Sequence, residues 1–239
     1  MMYAFTSDLK TYNIEATDGE MGKVQDLYFD DHKWAIRYAI VDTRKWLPGR
    51  KVLLSPESFK EIEDQDKILQ IGYDKETVKN SPSVPENKAF TRDTENTLIG
   101  YYGWSRYWMG SMLWGPEDRP LATFNVQPQP RQINEEDLVP NEERKSELRS
   151  EAELIGCRVH ADNGKLGQIK DIIFDTEYWK LRHIVIQNSE NFTEDEYIVC
   201  STKDIESVVW NEMDVYVKGA EMTFKNELFY SADEILKSI

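Results

Sequence analysis

The sequence predicts an all-β chain: two small β-barrels that arose by internal duplication, with short helices only in the linker and at the C-terminus. Three observations predict this. A 25-residue stretch recurs 145 positions further on. Short alternating runs of apolar and polar residues, bounded by turn dipeptides, follow both copies. Apolar residues make up 40% of the 239, with 12% aromatic, which is enough to bury a core.

The repeat is gapless from residue 18 to 42 over 163 to 187. Gly19/Gly164, Gly22/Gly167, Asp26/Asp171, Phe29/Phe174, Asp30/Asp175, Trp34/Trp179 and Arg37/Arg182 are identical. Chance pairing yields roughly one or two identities over such a length. A weaker match resumes after a one-residue shift, with Ser55 over Ser201 and Thr77, Lys79 and Asn80 over Thr223, Lys225 and Asn226. The division is therefore residues 1–80, a linker at 81–147, and 148–239.

Each unit reads as strands in order. Residues 12–16 form the first, and Asp18-Gly19 and Asn163-Gly164 are turn dipeptides that tolerate positive φ. In 22–29 the apolar phase changes between Val24 and Leu27, and the second copy does the same between Ile169 and Ile172, which predicts a bulge near Gln25 and Lys170. Trp34, Ile36, Tyr38 and Ile40 alternate along a third strand, matched by Trp179, Leu181, His183 and Val185. Its end is apolar on both faces, as burial from two sides requires. Shorter strands follow at 51–54 and 68–72, and at 197–200 and 215–218. Asp74 and Ser231 are placed to cap short helices. Closing five or six such strands into a barrel avoids exposed edges.

If residues 30–33 turn the hairpin, Phe29 stands opposite Trp34 and Asp26 opposite Arg37; Asp171 and Arg182 repeat the arrangement. The expectation is an ion pair pinning strand register in each copy.

Charge limits function. With 29 Lys+Arg against 44 Asp+Glu the net charge is −15. Residues 1–80 carry 12 basic and 15 acidic side chains, 81–147 carry 7 and 11, and 148–239 carry 10 and 18. No segment is basic, so no basic patch is expected, and neither nucleic acid nor anionic lipid is an expected partner. Asp8 and Lys10 interrupt any secretory apolar run, and no stretch is long enough for a transmembrane segment. Two cysteines, Cys157 and Cys200, fit a reducing cytoplasm and read as small core residues.

No residues assemble a recognisable catalyst, metal centre or cofactor site, so catalytic, cofactor-binding and metal assignments are all none. His183 takes the slot of Tyr38, a packing position, and His32 beside Asp30 and Asp31 is ordinary turn chemistry rather than a cation site. The unusual segment is 101–114, where Tyr101, Tyr102, Trp104, Tyr107, Trp108 and Trp114 crowd together with Met109, Met112 and three nearby glycines. Residues 93–100 before it suit a short helix, and 116–140 after it are proline-rich and polar. Two readings stay open: a surface for a protein partner or self-association, such as a homodimer, or a segment packed on its own chain.

At Ala16-Thr17-Asp18-Gly19, Gly22-Lys23-Val24, Asp26, Phe29-Asp30-Asp31, Trp34 to Tyr38, Val41-Asp42-Thr43 and Trp46-Leu47-Pro48-Gly49 the chain resembles the PRC-barrel family. That family is named for the cytoplasmic barrel of the photosynthetic reaction-centre H subunit and includes the ribosome-maturation factor RimM. The second copy carries the resemblance through Leu148-Arg149-Ser150, Leu154-Ile155-Gly156, Gly164, Gly167, Asp171, Phe174-Asp175, Trp179 and Arg182. It departs where Gln187-Asn188 and Glu194-Asp195-Glu196 replace the Asp42-Thr43 and Trp46-Pro48-Gly49 elements. The resemblance implies a tandem PRC-barrel protein acting as a non-enzymatic interaction or assembly module, without the membrane anchor of the H subunit. The alternatives are a small-ligand or metal-binding protein using a groove between barrels, and a ribosome-associated factor like RimM.

Overall fold

Strands are the commonest element among the described residues, and the helices are short, as the period-two patterning dictates. The computed structural model describes residues 2–45, 47–48, 50–85, 90–120, 148–162, 164–188, 196–218, 229 and 231–239. Trp46, Gly49, Asn163, Glu194, Asp195, Thr223, Lys225, Asn226 and residues 121–147, which hold most of the proline-rich tract, lie outside the described residues.

Two compact units divide the chain. One is continuous, Lys10–Leu148, and the other is discontinuous, joining Met1–Leu9 to Arg149–Ile239. In chain order the elements are β1 (Tyr3–Phe5), α1 (Thr6–Leu9), β2 (Asn13–Ala16), β3 (Gly19–Asp30), β4 (Ala35–Asp42), β5 (Arg50–Leu54), β6 (Phe59–Glu63), β7 (Ile68–Ile71), α2 (Lys75–Asn80), β8 (Val84–Pro85) and α3 (Arg92–Tyr102). There follow β9 (Leu148–Ser150), α4 (Glu151–Leu154), β10 (Arg158–Ala161), β11 (Gly164–Asp175), β12 (Lys180–Asn188), β13 (Tyr197–Ser201), β14 (Ile205–Val209), β15 (Asp214–Val217) and α5 (Ala232–Ser238).

In the continuous unit the strands run β6-β7-β2-β3-β4, with β5 on β4 and β8 on β5; β2 and β7 are parallel and the other pairs of this path antiparallel. In the discontinuous unit the path is β14-β15-β10-β11-β12, with β13 on β12; here β10 and β15 are the parallel pair. The same local geometry thus occurs twice. Both 12-residue strands carry a bulge where the phase change placed it, at Gln25 between the pairs Val24–Val41 and Asp26–Ile40, and at Lys170 between Ile169–Ile186 and Asp171–Val185. Asp74 caps α2 by accepting the Thr77 N–H at 2.7 Å, and Ser231 caps α5.

The hairpin register differs from the expected one. Phe29 pairs with Ile36 rather than Trp34, because the turn spans 31–34 and Trp34 sits in the left-handed region at φ 57°. Trp179 does the same at φ 55°. Such a backbone costs a non-glycine residue about 1–2 kcal/mol, and Trp34 offsets this by stacking on Phe29 at 5.6 Å. A second bulge follows. Tyr28 pairs with Tyr38, so Arg37 is the extra residue on β4, and Arg182 is its counterpart on β12.

β1 belongs to the discontinuous unit for a reason of strand length. β10 covers only Gly164 to Gln168 along one edge of β11, and β1 takes up the same strand at Ile173 to Asp175. Unpaired strand edges are unfavourable when buried. Phe5 then closes a core with Ile173, Val185 and Ile235.

Candidate functional site

The expected Asp26–Arg37 and Asp171–Arg182 pairs do not form, and the bulges are the cause. Being extra on its strand, Arg37 turns toward the hairpin and donates from Nη2 to Asp30 Oδ2 at 3.0 Å. Asp30 Oδ1 meanwhile accepts the His32 and Lys33 amides. Arg182 pairs with Asp175 in the same way. Asp26 accepts the Leu27 amide at 2.8 Å, while Asp171 accepts from Thr6 Oγ1 at 3.1 Å, Ser7 N at 3.3 Å and Ser7 Oγ.

Around Arg37 the continuous unit assembles most of its aromatic segment. α3 starts at the Thr91 cap and ends where Gly103, at φ 75°, lets the chain reverse. The following loop folds back over β4. Tyr107 and Trp114 lie over the Arg37 guanidinium, 3.9 and 4.9 Å from its carbon, and Arg37 Nε and Nη1, which have no hydrogen-bond acceptor, face aromatic surface instead. Tyr102 and Trp104 stack at 4.3 Å. Tyr102, Trp104, Tyr107 and Trp114 are buried; Tyr101 and Trp108 are half-buried. Composition and spacing revealed the cluster, but which aromatics face inward depends on the loop's path.

Two buried carboxylates that the sequence did not single out complete the arrangement. Glu95, on α3, accepts from Tyr38 Oη at 2.9 Å and Arg92 Nη1 at 2.5 Å. Burial raises its pKa, and burial followed by the charge of Glu95 pushes the hydroxyls of Tyr38 and Tyr107 well above the usual tyrosine range. Glu57, which follows β5, accepts the Ser105 amide at 2.9 and 3.0 Å and the Ser105 hydroxyl at 3.2 Å. Burial pushes it up to about 7. Perturbed carboxylates suggest chemistry when they line an opening. Both are 2% exposed, and their bonds to Ser105, Tyr38 and Arg92 tie loop, helix and sheet together.

The outer side of the same loop is different. Met109 and Met112 are each 45% exposed, beside half-buried Trp108, whose ring receives the Arg92 guanidinium at 4.1 Å. Lys33 Nζ donates to the Met112 carbonyl and fixes the loop tip to the hairpin.

The remaining sites fall as follows. Trp34 and Trp179 occupy the hairpin turns, and Gly19 and Gly164 the preceding turns, at φ 123° and 129°. Gly22 and Gly167 allow the carbonyls of Asp42 and Gln187 to approach so closely that a β-carbon would lie 2.0 and 1.9 Å away. His183 is half-buried against Tyr3, with its pKa lowered by burial. His160 meets Asp214 at 2.8 Å beside Arg158. Cys157 and Cys200 are buried, the latter thiol pushed up to about 12 by desolvation. Among the described residues no group of three or more His, Cys, Asp or Glu is arranged to hold a metal ion, and no helix is long and apolar enough to cross a membrane.

Neither a protein-family model nor a curated protein matches the chain.

Proposed function

We propose that the chain is a tandem PRC-barrel protein acting as a non-enzymatic interaction or assembly module in the cytoplasm, with Trp108, Met109 and Met112 as its contact patch. One observation carries this reading. Met109 and Met112 stand 45% exposed on a loop whose flanking Tyr107 and Trp114 are only 3% and 1% exposed. Exposed methionines adapt to a partner's shape, and tryptophan and methionine are enriched at interface cores. Anchoring the loop through Arg37 reduces the ordering cost of binding.

The test is light scattering over a concentration series on the full chain and on Met109→Asp with Met112→Asp, alongside co-purification from source cells. The reading expects an assembly, either a homodimer or a complex with a second protein, that the double variant loses while its melting temperature is unchanged. A monomeric parent whose co-purifying proteins are the same as those of the variant would overturn it.

A further inference from the structure

Regional charge counts predict no basic patch, yet the fold builds one. β3, the segment after β4, and α2 come together around a groove of about 520 Å³ lined by Glu20, Met21, Lys23, Asp42, Arg44, Lys45 and Lys75. The cations come from three separate stretches of a −15 chain, so no window of sequence contains them. Asp42 is already neutralised: Arg44 donates to both of its oxygens, at 2.9 and 2.6 Å, which lowers its pKa to about 2. Glu20 is the one further carboxylate in the lining, and Asp18, which accepts the Lys75 amide at 2.9 Å, lies next to it. Met21, itself buried, is among the lining residues, and the volume falls within the range of small-molecule sites, roughly 300–1,000 Å³.

The second copy provides an internal control. It builds the same bulged strand pair, but Gln168 stands opposite Gln187 where the first copy sets Lys23 opposite Asp42. The strand pair does not need those charges. Lys23, Lys45 and Lys75 line the same groove, so an anion held there gains Coulomb attraction from all three. Screening confines the −15 field of the whole chain to about 8 Å at physiological salt, so the local cations decide what the groove attracts.

We propose that this groove, wholly within the Lys10–Leu148 unit, binds a compact multivalent oxyanion, a phosphate- or polycarboxylate-bearing small molecule, through Lys23, Lys45 and Lys75. The site is independent of the methionine patch.

Amide chemical shifts of the full chain, titrated separately with inorganic pyrophosphate and with citrate, test it. Saturable shifts are expected at Met21 to Lys23, at Arg44 and Lys45, and at Lys75. In Lys23→Gln with Lys75→Gln the affinity should fall about tenfold or more, a change of about 1.4 kcal/mol, with the ligand-free melting temperature unchanged. A preference for pyrophosphate assigns the ligand to phosphates, and a preference for citrate to carboxylates. Absence of saturable shifts with either anion overturns the proposal, as does equal affinity in the double variant.

Discussion

Arg37 and Asp30 form an ion pair at 3.0 Å with side chains 0% and 4% exposed, and two aromatic rings cover the guanidinium. Removing one member of such a pair strands the other charge in a medium that cannot solvate it.

Arg37→Met should therefore destabilise the continuous unit by about 3–5 kcal/mol. Arg182→Met should cost the discontinuous unit less, because Arg182 is 22% exposed and water screens the loss. Urea titrations of the two variants, followed by tryptophan fluorescence, measure both. Equal losses would refute the asymmetry.

Glu57 gives the continuous unit a pH dependence. Its folded pKa, about 7, lies above its unfolded value of 4.5, so the folded state holds the proton more tightly. Stability from this group is fully present below pH 4.5 and is lost as pH rises through 7, a change of about 3 kcal/mol. Glu57→Gln keeps an acceptor for the Ser105 amide and cannot ionise. Its melting temperature should flatten across that window and exceed the parent's at pH 8; an unchanged slope counts against the assignment.

The N-terminal segment holds together a unit that begins 140 residues later. Phe5 packs with Ile173, Val185 and Ile235, and Phe5→Ala should cost about 3–5 kcal/mol in the discontinuous unit. Asp171→Ala, which removes the acceptor for Ser7 and leaves Thr6 only its bond to Glu151 at 2.8 Å, should speed hydrogen exchange in Tyr3–Phe5. If exchange there matches the parent, the anchor lies elsewhere.

Gly22→Ala and Gly167→Ala should each destabilise their own unit by about 2 kcal/mol or more, because each β-carbon meets backbone oxygen rather than a movable side chain. Gly164→Ala meets nothing nearby, and its strain comes only from φ 129°. Thermal denaturation of the three, with Gly164→Ala the mildest, checks the ranking.

Much of the fold is legible in the sequence. The long paired strands β3, β4, β11 and β12, the bulges at Gln25 and Lys170, the caps at Asp74 and Ser231, and the paired glycines are local features, set by side-chain alternation and by what each turn tolerates; β1, β6 and β14 carry no such local signal. The register of the hairpin was not legible. Placing Trp34 in a left-handed turn moves the turn by one residue, and the second bulge at Arg37 moves it again. Two such shifts suffice to replace Asp26 with Asp30 as the arginine's partner.

The sequence by itself determined the longer strands and that one pattern occurs twice, because alternation and turn chemistry act over a few neighbouring residues, but it did not mark β1, β6 or β14. Tertiary structure decided that Met1–Leu9 joins Arg149–Ile239, that four aromatics of the middle segment turn inward, two of them over Arg37, while Met109 and Met112 stay outside, and that lysines 52 residues apart share a groove in an acidic chain. Each of these depends on which distant backbone edge or surface remains unpaired once the local elements have formed, and no local window records that.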